Sequence, residues 1–347
     1  MHNLKKFIYQ FVLFGIVGCA IFIALSQYYQ AKVMSQDYFY QQLNNFDNQQ
    51  EDPKVVIFGD SRLAFGISPR ALPKEYFNFS APGENLRQTF LKLEYALRRK
   101  TGIEFIILAI DDHIMANYRE LQRETFVKHM TFSTIQAVAE VYPVSKKQLL
   151  RGAIGAKFPL LIHDRRQDFT ASIYNDLKII FTGKRTKKRI SYDECMGFTR
   201  DKYSQWVDVQ NKKVAALSHA RNKYLPDPFS EPLEDVFRKV VALAAKNRVK
   251  VVGLKTPMVG EMQQAKKQMD LEERFAELDR FILSQNLYAI INLQTFLNDK
   301  PEFFTDPDHL NPDGSYLFSR ELVKSMEKIT GISSESPANY DCSHTSR

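Results

Sequence analysis

Val55-Val56-Ile57-Phe58-Gly59-Asp60-Ser61-Arg62 is a run of four apolar residues closed by a glycine and followed at once by an aspartate and a serine. An apolar run this short, with no polar residue alternating through it, predicts a strand buried on both faces, as in a parallel sheet covered by helices. Reading outward, similar runs recur at residues 76–79, 105–110, 249–254 and 289–293. Between the second and third, Leu86, Phe90, Leu93 and Leu97 fall on one helical face. Leu233, Val236, Phe237, Val240, Val241 and Ala244 form a stripe before the fourth run, and Leu271, Phe275, Leu278 and Ile282 form another before the fifth. Strands alternating with helices imply parallel pairing through right-handed crossovers. The expected fold is α/β: a three-layer α/β/α sandwich around a mainly parallel five-stranded sheet.

The alternation breaks at residues 113–232, where a helical insertion or cap is expected. It holds an apolar stretch at 158–162 and five basic residues in six at Lys184-Arg185-Thr186-Lys187-Lys188-Arg189. A solvated loop is the simpler reading of that basic run, because charge runs are common on surfaces; the sharper reading is a surface for anionic headgroups or polymer. The folded domain is expected over residues 53–330, and the Ser-rich stretch 331–347 has the composition of a disordered tail.

Upstream of the first strand, residues 27–52 are rich in Gln, Asn, Asp and Tyr without clear periodicity, which predicts a polar stalk. Before it, residues 7–25 are apolar except for Gln10, long enough to cross a hydrocarbon core of roughly 30 Å. Lys5 and Lys6 precede this run and Tyr28 and Tyr29 follow it. That arrangement predicts a cytoplasmic N-terminus, an interfacial aromatic pair on the far side and the rest of the chain outside the cytoplasm. A cleaved signal peptide is the rival, but the run exceeds the usual h-region of about 7–15 residues and ends without a small-x-small site. Ile16-Val17-Gly18-Cys19 resembles a lipobox, yet the apolar sequence continues from Ala20 to Leu25 where a mature lipoprotein would start polar.

The chain has 347 residues, 44% of them hydrophobic, enough for one large domain or two small ones. A net charge of +8 favours an anionic neighbour, but no nucleic-acid motif accompanies it, and nucleic acid does not explain an anchor. Cys19, Cys195 and Cys342 are the three cysteines. They form no Cys-x-x-Cys pair, and no His-Glu-x-x-His occurs, so spacing gives no metal framework, and no cofactor is expected. Cys195 and Cys342 are either a disulfide of an oxidising compartment or two free thiols.

Ser61 falls directly after the first strand, at the carboxyl edge where open α/β sheets place their sites. A serine on a turn heading a helix is near backbone N–H groups that stabilise an oxyanion, but it needs a base. The candidate base lies in Phe304-Thr305-Asp306-Pro307-Asp308-His309-Leu310-Asn311-Pro312-Asp313-Gly314. Asp306, three residues before His309, is placed to orient the imidazole while its other nitrogen faces Ser61. Asn311 is a good N-cap and Pro312 a good first helical residue. Asp308 is expected to be a solvated loop carboxylate. Arg62 is expected to form a structural ion pair, with binding of a carboxylate or phosphate as the alternative. Asp111-Asp112-His113 offers a competing Asp-x-His arrangement, although His113 is more simply a capping or packed residue. His129, His163 and His219 are read as surface or core residues.

Gly59-Asp60-Ser61 near the start and Asp306-x-x-His309 near the end resemble the first and last blocks of the SGNH/GDSL hydrolase superfamily. Asn78-Phe79-Ser80-Ala81-Pro82-Gly83-Glu84-Asn85 is similar to the middle block with its glycine. The likeness spans roughly residues 53–330, interrupted by the insertion. It implies Ser61 as nucleophile, Asp306 and His309 as its acid/base partners, and Gly83 as a backbone oxyanion donor. Asn85 either hydrogen-bonds substrate or begins the following helix. The chain departs from the family where Gly-x-Asn is replaced by Ala109-Ile110-Asp111. An ionised Asp111 pointing at an oxyanion would oppose catalysis, so it is expected to be protonated, turned away or in another role.

With its membrane anchor, the chain looks like a narrower group that includes the lipoteichoic-acid D-alanylation protein and the alginate O-acetylation accessory proteins. This likeness implies a bacterial cytoplasmic membrane location, with the domain on the periplasmic side. It also implies acyl transfer or hydrolysis on a cell-envelope polysaccharide or glycolipid beside a membrane-bound O-acyltransferase. The alternative is a non-catalytic, polymer-binding or assembly subunit, for which Asp111 and the basic run speak.

Overall fold

The computed structural model describes residues 2–34, 37–116, 119, 130, 132–158, 173–174, 176–178, 206–224 and 230–331. The basic run 184–189, Cys195, Cys342, His129, His163, residues 159–162 and the tail after 331 lie outside the described residues. Five strands, β1 (Val55–Phe58), β2 (Tyr76–Asn78), β3 (Phe105–Ala109), β4 (Lys250–Lys255) and β5 (Ala289–Asn292), form one sheet in the order β2-β1-β3-β4-β5. Every pairing is parallel: Val55 lies opposite Tyr76 and Phe105, Phe105 opposite Lys250, and Val252 opposite Ala289. The chain leaves β1 for β2 on one side and returns across it to β3 on the other. The carboxyl end of β1 is therefore a switch point, where the paths of the chain diverge and leave a crevice.

Alternate strand residues feed two cores. Val56, Phe58, Ile106, Leu108 and Val251 pack with the helices α4 (Leu86–Arg99) and α8 (Glu231–Lys246). Val55, Ile57, Ile107, Ala109, Val252 and Leu254 pack with α3 (Ser61–Gly66), α7 (Lys212–Tyr224), α9 (Gly260–Lys267) and α11 (Pro312–Thr330). The described residues also form α1 (His2–Lys32), α2 (Tyr38–Asp47), α5 (Ile135–Val141), α6 (Lys146–Lys157), α10 (Glu272–Leu283) and a small hairpin, β6 (Phe304–Asp306) with β7 (His309–Leu310). Helices α5, α6 and α7 fall within the span read as an insertion, and α7 is part of the second core.

The stretch read as a stalk is structured instead. Helix α1 runs unbroken to Lys32, and α2 follows with Asp37 capping it through a bond from the Phe39 N–H. Phe39, Leu43 and Phe46 of α2 are buried in the first core, the Phe46 ring stacking 4.9 Å from Phe79. Gln42 donates to the Asn78 and Ser80 carbonyls at 3.1 and 2.8 Å and Tyr38 donates to Ser80 at 2.8 Å, so α2 satisfies the chain end of the edge strand β2. Helix α1 has a 29-residue segment, Leu4–Lys32, long and apolar enough to cross a membrane, a property shared with signal sequences.

Candidate active site

Ser61 is the first residue of α3, capped by Asp60, whose carboxylate accepts the Arg62 N–H at 3.1 Å. The short β1 and the tight turn after it leave Ser61 at the sheet edge. Helix α3 packs on β7 and α11. Ser315 of α11 donates to the Phe65 carbonyl at 2.9 Å and Ser319 accepts the Ser68 N–H at 2.8 Å. These contacts set the Asp306–His309 hairpin over the serine. Gly314 makes the approach possible: a Cβ there would overlap the Phe303 carbonyl oxygen. Asn311 caps α11 by accepting the Gly314 N–H at 3.0 Å, with Pro312 in the first turn.

The Ser61 hydroxyl lies 2.8 Å from His309 Nε2. On the other side of the ring, Nδ1 is 2.8 Å from Asp306 Oδ2. Asp306 Oδ1 also accepts the His309 and Asp308 backbone N–H groups at 2.9 and 3.0 Å, which fixes the carboxylate in the hairpin. A serine, an imidazole and a carboxylate in this order form a hydrogen-bonded relay that can accept a proton on the imidazole, with the carboxylate orienting the ring and stabilising its charged form. Burial disfavours charge on His309, but the hydrogen bonds and charges of Asp306 and Asp308 outweigh it and raise the pKa to about 9.

Asp308 is not the solvated carboxylate expected. It is buried, paired with the Arg62 guanidinium and the Lys223 ammonium, 2.9 Å from His219 Nε2 and 3.2 Å from His309 Nδ1. Burial alone would raise this carboxyl; Arg62 and Lys223 hold it well below the usual range. Arg62 is thus the structural ion pair expected of it. His219 and Lys223 both come from α7, so a helix read as part of a cap supplies two side chains to the Asp306–His309 hairpin. His219, Asp306 and Asp308 have potential metal-ligand atoms within 4.8 Å of one another, but two cations already neutralise Asp308.

Asp111 and Asn85 each take the structural one of the alternatives expected of them. Asp111 is fully buried and accepts the Thr256 N–H at 2.7 Å and the Thr256 hydroxyl at 2.8 Å, with Arg62 3.5 Å away. It is turned away, joining the end of β3 to the end of β4. Asn85 is committed to starting α4: its oxygen accepts from the Arg87 and Gln88 N–H groups at 3.0 and 3.2 Å, and its amide donates to the Arg119 carbonyl at 3.1 Å. Gly83 is exposed, with φ 74°, in a Pro82-Gly83 turn closed by the Glu84 N–H on the Ala81 carbonyl at 3.1 Å. Positive φ at the third position of a turn, directly after a proline, is the type II pattern that calls for glycine. The Ala81 N–H donates to the Gly59 carbonyl at 3.0 Å, which ties this loop beside the turn bearing Ser61.

His113 stands behind the site. Its Nε2 is 2.7 Å from Asp60, which also pairs with Arg119. Burial and the Arg62 charge push the imidazole well below its ordinary pKa. Burial would raise Asp60, but His113, Arg119 and Arg62 hold its carboxyl well down. The charge thereby fixed at Asp60 keeps the cap of the helix that begins at Ser61 in place. Asp111-Asp112-His113 therefore meets Ser61 only through Asp60 and Arg62. No protein-family model and no curated protein matches this chain.

Proposed function

We propose that this chain is an SGNH/GDSL-type serine acyltransferase or esterase of the bacterial cell envelope, held in the cytoplasmic membrane by α1 with its domain on the extracytoplasmic side. In this reading the two cores on alternate strand residues are the two faces of a three-layer sandwich. The substrates are acyl esters, acetyl above all, of an envelope polysaccharide or glycolipid, and a membrane-bound O-acyltransferase is the expected partner. The observation that carries the proposal is the relay from Ser61 through His309 to Asp306, with 2.8 Å at each step.

In the first half-reaction His309 Nε2 takes the Ser61 proton as Oγ bonds to the ester carbonyl carbon. The ester C–O bond breaks, the leaving alcohol takes that proton from His309, and the acyl group remains on Ser61. In the second, His309 deprotonates a sugar hydroxyl or water as its oxygen bonds to the acyl carbon; the bond from that carbon to Ser61 Oγ then breaks, and Oγ takes the proton back from His309 as the product leaves. Asp306 stays ionised and stabilises the imidazolium in both. Gly83 is the backbone donor to the oxyanion in this reading. With Asp111 and Asn85 committed elsewhere, the oxyanion relies on backbone N–H groups.

The test is labelling of the full chain in detergent by a fluorophosphonate probe. Wild type is expected to label, and Ser61→Ala and His309→Ala are expected not to. Absence of labelling in folded wild type would favour the non-catalytic, polymer-binding subunit.

A further inference from the structure

Helix α6 carries four basic residues, Lys146, Lys147, Arg151 and Lys157, and no acidic one. Its inner side, Leu149, Ala153 and Ala156, packs on the first core. On the outer side Leu150 is 63% exposed and Ile154 43%, flanked by exposed Lys147, Arg151 and Lys157. Nearby in sequence, Tyr174 and Leu177 are also exposed. A bare leucine and isoleucine among lysines are unfavourable in water and suited to a bilayer boundary, where apolar tips enter the acyl region and ammonium groups reach the headgroups.

The position of this surface relative to α1 identifies what covers it. Phe158, which caps the C-terminal end of α6, packs its ring 5.7 Å from that of Phe22. Phe22 lies inside the apolar run, about 4.5 Å of helix before its end at Leu25. Some 15 Å farther along α1, Lys32 pairs with Asp176 at 3.1 Å, and Tyr28 donates to the same carboxylate at 2.9 Å. Phe158 and Asp176 are thus both fastened to the C-terminal part of α1, and α6 ends at the depth where the apolar run ends.

We propose that α6, with Tyr174 and Leu177, lies in the headgroup layer of the bilayer that α1 crosses. Helix α6 is then a second, monotopic membrane contact selective for anionic lipid. It rests on the reading of α1 as a membrane span and goes beyond any acyl chemistry. Two contacts rather than one fix the tilt of the domain, which a single helix would leave free, and hold the catalytic edge at a set distance from membrane-linked substrates.

The experiment places a photoreactive benzoylphenylalanine in the full chain at Phe14, Leu150, Ile154 or Leu283, in nanodiscs of phosphatidylcholine with phosphatidylglycerol. Phe14 reads the anchor, and Leu283, 70% exposed at the end of α10, is the soluble control. Lipid adducts are expected at Phe14, Leu150 and Ile154 and not at Leu283. Combining Lys147→Glu with Arg151→Glu is expected to lower the Leu150 adduct at least about fivefold, since each basic residue near an anionic surface contributes roughly that factor. Adducts at Phe14 with Leu150 no better than Leu283 would overturn the α6 contact and leave the anchor standing. No adduct at Phe14 would overturn both. Protein rather than lipid adducts from Leu150 in native membranes, or a yield indifferent to charge reversal, would also overturn the proposal.

Discussion

His309 is subject to two opposed effects, and the balance sets the pH at which its ring loses a proton. Burial favours the neutral ring, while Asp306 and Asp308 on its Nδ1 side favour the charged one and bring its pKa to about 9. Below that pH the ring carries the proton that it must lose before it can take one from Ser61. Fluorophosphonate labelling is therefore expected to accelerate with pH along a single limb near 9. In Asp306→Asn that limb should move down by about one to two pH units, the effect of removing one adjacent charge, while labelling at any pH slows. A limb near the ordinary histidine value in wild type would contradict the double-carboxylate environment. Ser61, Asp306 and His309 were legible in the sequence because each sits in a short local pattern beside a strand or a helix cap. The role of Asp308 was not, because Arg62, His219 and Lys223 reach it across 246, 89 and 85 residues of chain. The available signal was an arginine next to the serine and an aspartate next to the histidine, two charges in positions the fold was bound to bury.

Among the elements, α2 differs most from its expected character. Its Gln and Asn residues concealed an apolar face of Phe39, Leu43 and Phe46, spaced four and three apart, the spacing of one side of a helix. The strands were legible to within about a residue at each end, since buried parallel strands are uniformly apolar and need no partner information to be recognised. Helix α2 also reaches the loop of Gly83. The Lys92 ammonium, fully buried, donates to Gln42 of α2, to the Phe79 carbonyl and to Glu84 at 2.9, 2.7 and 2.9 Å. Burial pushes Glu84 up to about 7 despite that lysine. A stalk residue would tolerate truncation within about 0.5 kcal/mol. Phe46→Ala is instead expected to cost about 3–5 kcal/mol, the range for deleting a buried aromatic ring, measured by urea denaturation of the full chain in detergent.

On the scale of the whole molecule, charges buried along the carboxyl edge of the sheet join parts that the sequence keeps far apart. Asp60 connects the turn that bears Ser61 to His113 and Arg119; Arg62 connects it to Asp111 and Asp308; and Lys223 brings in α7. Breaking such a pair by removing one partner costs about 3–5 kcal/mol, because the other charge stays buried. Protonation does the same, and its sign can be worked out. Asp60 and Asp308 are held well below 3.8 in the folded chain, so the stability they contribute is present above that value and is lost as pH falls through their folded pKa. His113, held below 6.5, takes its proton first in the unfolded chain and starts to erode stability below 6.5. Glu84, held at about 7 against 4.5, takes its proton first in the folded chain and offsets that loss down to about 4.5. Stability should therefore change little between about 6.5 and 4.5 and fall steeply below about 4. Trp206 is the only tryptophan in the chain and is buried in the core that also holds Ala216, Ala220 and Tyr224 of α7, so its fluorescence reads this transition. In Asp308→Asn the protein should be about 3–5 kcal/mol weaker at neutral pH, yet its stability should depend less steeply on pH below 4, because one of the two depressed carboxylates is gone. An acid limb of unchanged slope would mean that Asp308 does not hold α7 to the Asp306–His309 hairpin through its charge.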